Sequence, residues 1–154
     1  MIPFIQRFPN NLSAIPALLE SGNAIYFLGG EVSSITHATG GIWAANALKS
    51  IKIDVAFLGS SGFQSHRGPR TKMFSDAQLK RDVIANDVKS IVLADHTKFS
   101  TNAIMQYADW SDVDLFITDA DVSSDELAML LKKIQRADCV GLFSEITLTE
   151  MPDK

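Results

Sequence analysis

Residues 91–99 read IVLADHTKF, an apolar run over 91–94 that changes abruptly into Asp95-His96-Thr97-Lys98. A short apolar run bounded by breakers predicts a strand buried on both faces. The pattern recurs along the chain. Residues 24–28 (AIYFL) lead into Gly29-Gly30, 55–58 (VAFL) into Gly59-Ser60-Ser61-Gly62, and 113–118 (VDLFIT) into Asp119. A last run, 139–143 with 146–148, predicts a further edge strand.

Between these runs the periodicity becomes helical. In 124–136, Leu127, Leu130, Leu131 and Ile134 fall at i, i+3, i+4 and i+7, the spacing of one helix face. Ser123 and Glu126 form a capping-box pair, and Lys132, Lys133 and Arg136 suit the negative end of the dipole. Segment 75–86 opens with a second such pair, Ser75 and Gln78. Segments 39–50 and 11–21 read as further helices, and Pro16 makes the first turn of the latter irregular or shifts its start. Strands alternating with helices predict an α/β fold with a mostly parallel sheet flanked by helices. Ligands of such sheets bind beyond the carboxyl ends of the strands. The loops there carry Gly29, Gly30, Gly59, Gly62, Asp95, Lys98 and Asp119.

The chain has 154 residues, 46% hydrophobic and 21% charged, which is ordinary globular usage for a single domain over 1–154. No apolar stretch is long enough to span a bilayer, and the N-terminus lacks a signal-peptide layout. A lone cysteine, Cys139, excludes an internal disulfide and a four-thiolate zinc site, so a reducing cytoplasm is the expected setting and a small core residue the expected role. With 14 basic against 18 acidic residues and a net charge of −4, these residues are a poor match for a phosphate backbone.

Familiar catalytic patterns are missing. No G-x-G-x-x-G follows a strand and no P-loop occurs. Gly59-Ser60-Ser61-Gly62 lacks the spacing of a nucleophile elbow. His37, His66 and His96 are scattered, so no metal site is expected.

Four features admit either a structural or a functional reading. The glycine pairs terminate strands, or they let backbone N–H groups approach an anion. Lys80 falls inside an apolar helical arc between Ala77, Ile84, Leu79 and Val83. It snorkels to the rim or serves a polar site there, and Asp76 one turn earlier is a possible partner. Asp95 is a turn residue or an acceptor for ligand hydroxyls, with Lys98 as a point charge for phosphate. The basic loop 66–72 is a solvated turn or a cover over an anion, the former being the ordinary case.

Taken in order, PNNLSAIPALLE (9–20), FLGGE (27–31), Gly40-Gly41, DVAFLGSSGF (54–63), GPRT (68–71), DAQLKR (76–81), VLADHTKF (92–99) and DLFITDA (114–120) resemble the C-terminal effector-sensing domain of DeoR-family transcriptional repressors. The resemblance covers nearly all of 9–120. It implies a fold like that of ribose-5-phosphate isomerase and sugar-phosphate deaminases. It implies a non-enzymatic role, in which a phosphorylated sugar or related metabolite alters DNA binding by an attached helix-turn-helix domain. That domain, and a first strand with an Asp-x-Gly-x-Thr loop, are expected upstream of residue 1, so DNA would be contacted only through a region outside this chain.

The effector-binding residues implied are Asn10, Gly29, Gly30, Gly59, Gly62, Lys80, Asp95 and Lys98. Pro9 replaces the threonine of the family's Thr-Asn pair. The loop that is acidic in the related isomerases is Gly-Ser-Ser-Gly here, and Leu79 stands where a glutamate precedes the helix lysine. Without those carboxylates no base is evident for moving a proton beside a carbonyl. No cofactor, metal or membrane contact is expected, and a homo-oligomer is. The alternatives are an isomerase or deaminase, and an oligomerisation module with a degenerate pocket.

Overall fold

A computed structural model describes residues 5–64, 67–86, 88–134 and 137–140. The chain divides into two compact units, 1–52 and 53–154. In the first, β1 (Gln6–Arg7) is followed by a 3-10 turn over Leu12–Ala14 and helix α1 (Ile15–Leu19). The 3-10 entry and the placing of Pro16 in the first turn of α1 match the expected irregularity, because proline needs no N–H partner there. Strand β2 (Ala24–Ile25) pairs in parallel with β1. The pairing is prolonged by hydrogen bonds from Tyr26 N to Arg7 O and from Leu28 N to Pro9 O, both 2.8 Å. β3 (Glu31–Val32) and β4 (Thr39–Gly40) form an antiparallel hairpin, and α2 (Gly41–Leu48) follows. Ala44 and Leu48, one turn apart, are the buried residues of α2.

The second unit holds the main sheet. β5 (Val55–Gly59) leads through β6 (Arg70–Thr71) to α3 (Phe74–Ile84) and β7 (Lys89–Leu93). Then come α4 (Thr97–Ser100), β8 (Met105–Gln106), a 3-10 turn over Trp110–Asp112, β9 (Leu115–Asp119), α5 (Ser124–Leu131) and β10 (Ala137–Val140). The order across the sheet is β10-β9-β7-β5, and every neighbouring pair is parallel. The mostly parallel, helix-flanked α/β architecture read from the sequence is therefore present. β10 supplies the expected edge strand over 137–140; its continuation over 141–143 and 146–148 lies outside the described residues, as does the side chain of Cys139.

Phe63, Phe99, Trp110 and Phe116 form the centre of this unit. Their edge-to-face ring contacts span 4.7–5.9 Å between centroids, the geometry aromatic quadrupoles favour. Phe63 and Phe116 are completely buried.

Some expectations need correction. The run over 24–28 forms strand only at Ala24–Ile25, with Tyr26 and Phe27 50% and 37% exposed, so it is not a strand buried on both faces. The strand at 55–59 is not buried on both faces: Ala56 and Leu58 are buried, whereas Val55 and Phe57 are 43% and 64% exposed. Among the described residues, β5 ends the sheet order and has a sheet neighbour on one side only. The Ser75–Gln78 capping box does not form either. Helix α3 starts one residue earlier with Met73 at its cap, so Ser75 sits inside the first turn and Gln78 bonds Asp82 at 2.8 Å. The Ser123–Glu126 box does form, both halves present. Among the described residues no helix is long and apolar enough to cross a membrane.

Candidate functional site

Parallel pairing places the strand ends of the second unit side by side. Gly59 is in register with Leu93, Leu93 with Ile117, and Asp119 with Val140. Gly59, Asp95 and Asp119 therefore stand at or just past the carboxyl edge of adjoining strands, where helix-flanked sheets take their ligands.

Asp95 ends the turn after β7. Its carboxylate accepts from Thr97 N at 2.9 Å and from the Thr97 hydroxyl, and Lys98 Nζ lies 3.4 Å away. The Thr97 hydroxyl bond holds the Asp95 carboxyl below its ordinary range, against the upward push of burial, with Lys98 contributing. The turn reading of Asp95 is therefore present, and its carboxylate also lies beside the Lys98 ammonium.

His96 was expected only as a scattered histidine. Its Nδ1 lies 2.9 Å from Asp119 Oδ2, and its backbone N–H donates to the same carboxylate at 3.3 Å. The side-chain bond to Asp119 raises the His96 pKa above its usual value, more than desolvation lowers it. For Asp119, desolvation pushes upward, but the His96 side-chain and backbone bonds together bring the carboxyl below the usual range. Asp95, His96 and Asp119 each offer a ligand-type atom within 4.8 Å of the others. Those donor atoms are of the kind a divalent cation takes, although each already has a protein partner. The His96–Asp119 pairing has no local signature, since 23 residues separate the two.

Lys80 does not lie free on the rim. Its ammonium donates to the Gly59 carbonyl at 2.9 Å and to Asp76 Oδ2 at 2.8 Å. It also lies 5.0 Å from the centre of the Tyr107 ring. Tyr107, 3% exposed, donates its hydroxyl to the same Gly59 carbonyl at 3.0 Å, and its burial pushes the phenol pKa up. Thr71 Oγ1 donates to Asp76 at 2.5 Å. One carbonyl thus takes two donors, from residues 21 and 48 positions away. Asp76 was visible in the sequence as a partner for Lys80; Tyr107 was not.

The glycines divide into two classes. A Cβ on Gly62 would lie 2.1 Å from the Thr101 carbonyl oxygen, and one on Gly30 would lie 2.3 Å from that of Gly40. Close backbone packing explains both. At Gly29 and Gly59 a Cβ would meet nothing within 4 Å. The amides of the glycine loop are largely consumed: Ser61 N donates to Arg70 O, Gly62 N to Ser60 Oγ, and Phe63 N to Lys98 O. The basic loop is not simply solvated, for Pro69 is buried and Arg70 Nη1 reaches Ala103 O at 3.3 Å. His66 lies outside the described residues.

In the first unit, Asn10 is tied to Thr39 in both directions. Its Nδ2 donates to Thr39 O at 2.9 Å, and Thr39 N donates to Asn10 O at 2.7 Å. The Thr39 hydroxyl also bonds Leu28 O, which anchors the chain just before Gly29. Beside this buckle lies a shallow concavity of about 280 Å³, lined by Gly30, Glu31, Gly40, Gly41, Ile42 and Trp43.

Residues 5–120 match the family model described as the DeoR C terminal sensor domain. The chain is 33% identical to the HTH-type transcriptional repressor GlcR of Bacillus subtilis (strain 168), over 65% of this chain and 38% of that protein. It is 28% identical to the HTH-type transcriptional regulator GlpR of Haloferax volcanii, over 70% of this chain and 42% of that one. The glycerol-3-phosphate regulon repressor of Escherichia coli (strain K12) is 29% identical over 72% and 44% respectively. This chain spans less than half the length of each of these relatives. Family match and fold agree, and the chain belongs to the DeoR C-terminal sensor domain family.

Proposed function

We propose that this chain is the effector-sensing part of a transcriptional repressor, and that it binds a phosphorylated sugar without converting it. The observation that carries the reading is the pairing of Asp95 with Lys98 just past the end of β7, where Leu93 is in register with the open Gly59. In this proposal Lys98 takes the phosphate as a point charge and Asp95 accepts from a hydroxyl. Gly59 admits that ligand close to the backbone, and in the first unit, taken by itself, Gly29 is likewise open. Lys80 acts through the Gly59 carbonyl it holds rather than by touching ligand, and Asn10, Gly30 and Gly62 shape the loops. Binding energy then shifts the balance between two states of the protein, which requires different affinities in the two. DNA is read by a helix-turn-helix region of the kind the relatives' names indicate. A homo-oligomer is part of the proposal, supported by apolar side chains left exposed on one sheet face at Val55, Phe57 and Leu93.

The test is a thermal-shift series with sugar phosphates, run beside a proton NMR assay for turnover. At about 100 times Kd a bound effector stabilises the chain by about 2.7 kcal/mol. A shift with no conversion is the expected result; no shift with any member of the series overturns the reading. The His96–Asp119 pair favours the second reading, an isomerase or deaminase, because a histidine oriented by a carboxylate can move protons. Conversion of ribose 5-phosphate or glucosamine 6-phosphate, abolished by His96→Asn, would establish it.

A further inference from the structure

Two large apolar side chains of the first unit, Ile42 and Trp43, are 73% and 76% exposed. Together with Gly30, Glu31, Gly40 and Gly41 they line the concavity of the first unit. Among the described residues, neither the Glu31 carboxylate nor the Trp43 indole N–H has a hydrogen-bond partner in the protein. Three of the lining residues, Gly30, Gly40 and Gly41, carry no side chain, so a ligand can lie against the main chain there.

We propose that this concavity is a binding site for a neutral sugar ring, stacked on Trp43 with its hydroxyls donating to Glu31. The lining chemistry selects this occupant. An indole face offers apolar area to the C–H side of a ring while leaving its polar edge wet. An ionised carboxylate is acceptor-only, which suits O–H donors and repels phosphate. A purely apolar partner would leave that carboxylate desolvated and unpaired, at a cost. A volume of about 280 Å³ falls below the roughly 300–1,000 Å³ of pockets for drug-sized ligands and suits a single ring. The proposal rests on the sensor reading only in taking a sugar as the ligand class.

The two tryptophans make the test direct, because Trp43 is 76% exposed and Trp110 only 3%. Iodide quenching of the intrinsic fluorescence therefore reports Trp43. The probes are glucose, fructose and ribose, their phosphates, and inorganic phosphate alone, with thermal shifts measured on the same samples. At least one sugar is expected to halve the quenching constant at saturation, while inorganic phosphate leaves it unchanged. Glu31→Gln and Trp43→Ala are each expected to weaken that sugar about tenfold, as befits one good polar or aromatic contact.

Protection by inorganic phosphate alone overturns the proposal. So does shielding that rises with protein concentration in the absence of sugar, since the face would then be covered by a second copy. A thermal shift with sugar phosphates that leaves Trp43 fully accessible overturns this site and leaves the sensor reading standing. Protection by neutral sugars with no binding of any phosphorylated one does the reverse. Neither shift nor protection with any probe overturns both.

Discussion

Lys80 Nζ and the carbonyl oxygen of Gly59 are 2.9 Å apart, and the bond closes the free edge of β5 at the point where the strand enters its glycine loop. An unpaired edge carbonyl must find a donor or stay wet. Here it finds two, Lys80 and Tyr107. Lys80→Ala removes one donor and leaves Asp76, whose side chain is 22% exposed, with the Thr71 hydroxyl and without its ion-pair partner. It is expected to destabilise the chain by about 2 kcal/mol. Tyr107→Phe should cost about 1 kcal/mol, and the double variant should depart from additivity because the two donors share one acceptor. Urea unfolding of the four proteins measures this; additive losses would mean that the two act separately.

Gly62 and Gly59 belong to one loop but should respond in opposite ways to alanine. At Gly62 (φ +156) the new methyl collides with the Thr101 carbonyl, so a loss of about 3 kcal/mol or failure to fold is expected. At Gly59 the space is open, and stability should change by less than about 1 kcal/mol. Thermal denaturation of both variants checks the contrast.

A pair of serines separates true capping from its sequence mimic. Ser123→Ala removes the hydroxyl that accepts from Glu126 N and should cost about 1 kcal/mol. Ser75→Ala should change stability by no more than about 0.5 kcal/mol, because Ser75 lies within α3 and caps nothing. Equal effects in chemical denaturation would contradict the assigned helix starts.

The His96–Asp119 pair makes a pH prediction. His96 has a folded pKa raised above 6.5 by its bond to Asp119. Its contribution to stability is therefore complete below pH 6.5 and lost as pH rises through the higher folded value. Asp119, net lowered from 3.8, contributes above that pH and loses its contribution as pH falls through the lower folded value. The pair is thus fully formed between these limits. Following the His96 ring protons by NMR should give a midpoint above 6.5, and Asp119→Asn should bring it down. A midpoint that ignores the substitution would show that Asp119 is not its partner.

Lys98→Ala tests the proposed phosphate contact. Its ion pair with Asp95 is 3.4 Å long and partly exposed, so stability should fall by no more than about 0.5 kcal/mol. Sugar-phosphate affinity should fall about tenfold or more, measured by calorimetry. Unchanged affinity in both Lys98→Ala and Lys80→Ala would remove the site from the strand edge.

The alternation of strands with helices, the cap at Ser123, the irregular entry at Pro16 and the turn behind residues 91–94 were all legible in the amino-acid order. So was the edge of the sheet on which Gly59, Asp95 and Asp119 fall. These follow from interactions within a few residues: periodicity, capping, and the steric behaviour of glycine and proline. Apolar patterning could not show that β5 has one open face, because Val55 and Phe57 carry the same residue types as a strand covered on both sides.

Which distant partner a polar group takes, beyond local pairs such as Asp76–Lys80 and Ser123–Glu126, belonged to the tertiary structure. It decided that Lys80 holds Gly59, that His96 meets Asp119, and that Ser61, Gly62 and Phe63 spend their amides on protein acceptors. It also separated Gly30 and Gly62, packed against carbonyls, from the open Gly29 and Gly59. A donor engages whichever acceptor lies within about 3 Å, and that neighbour comes from strands and loops tens of residues away, brought close only when the chain is folded.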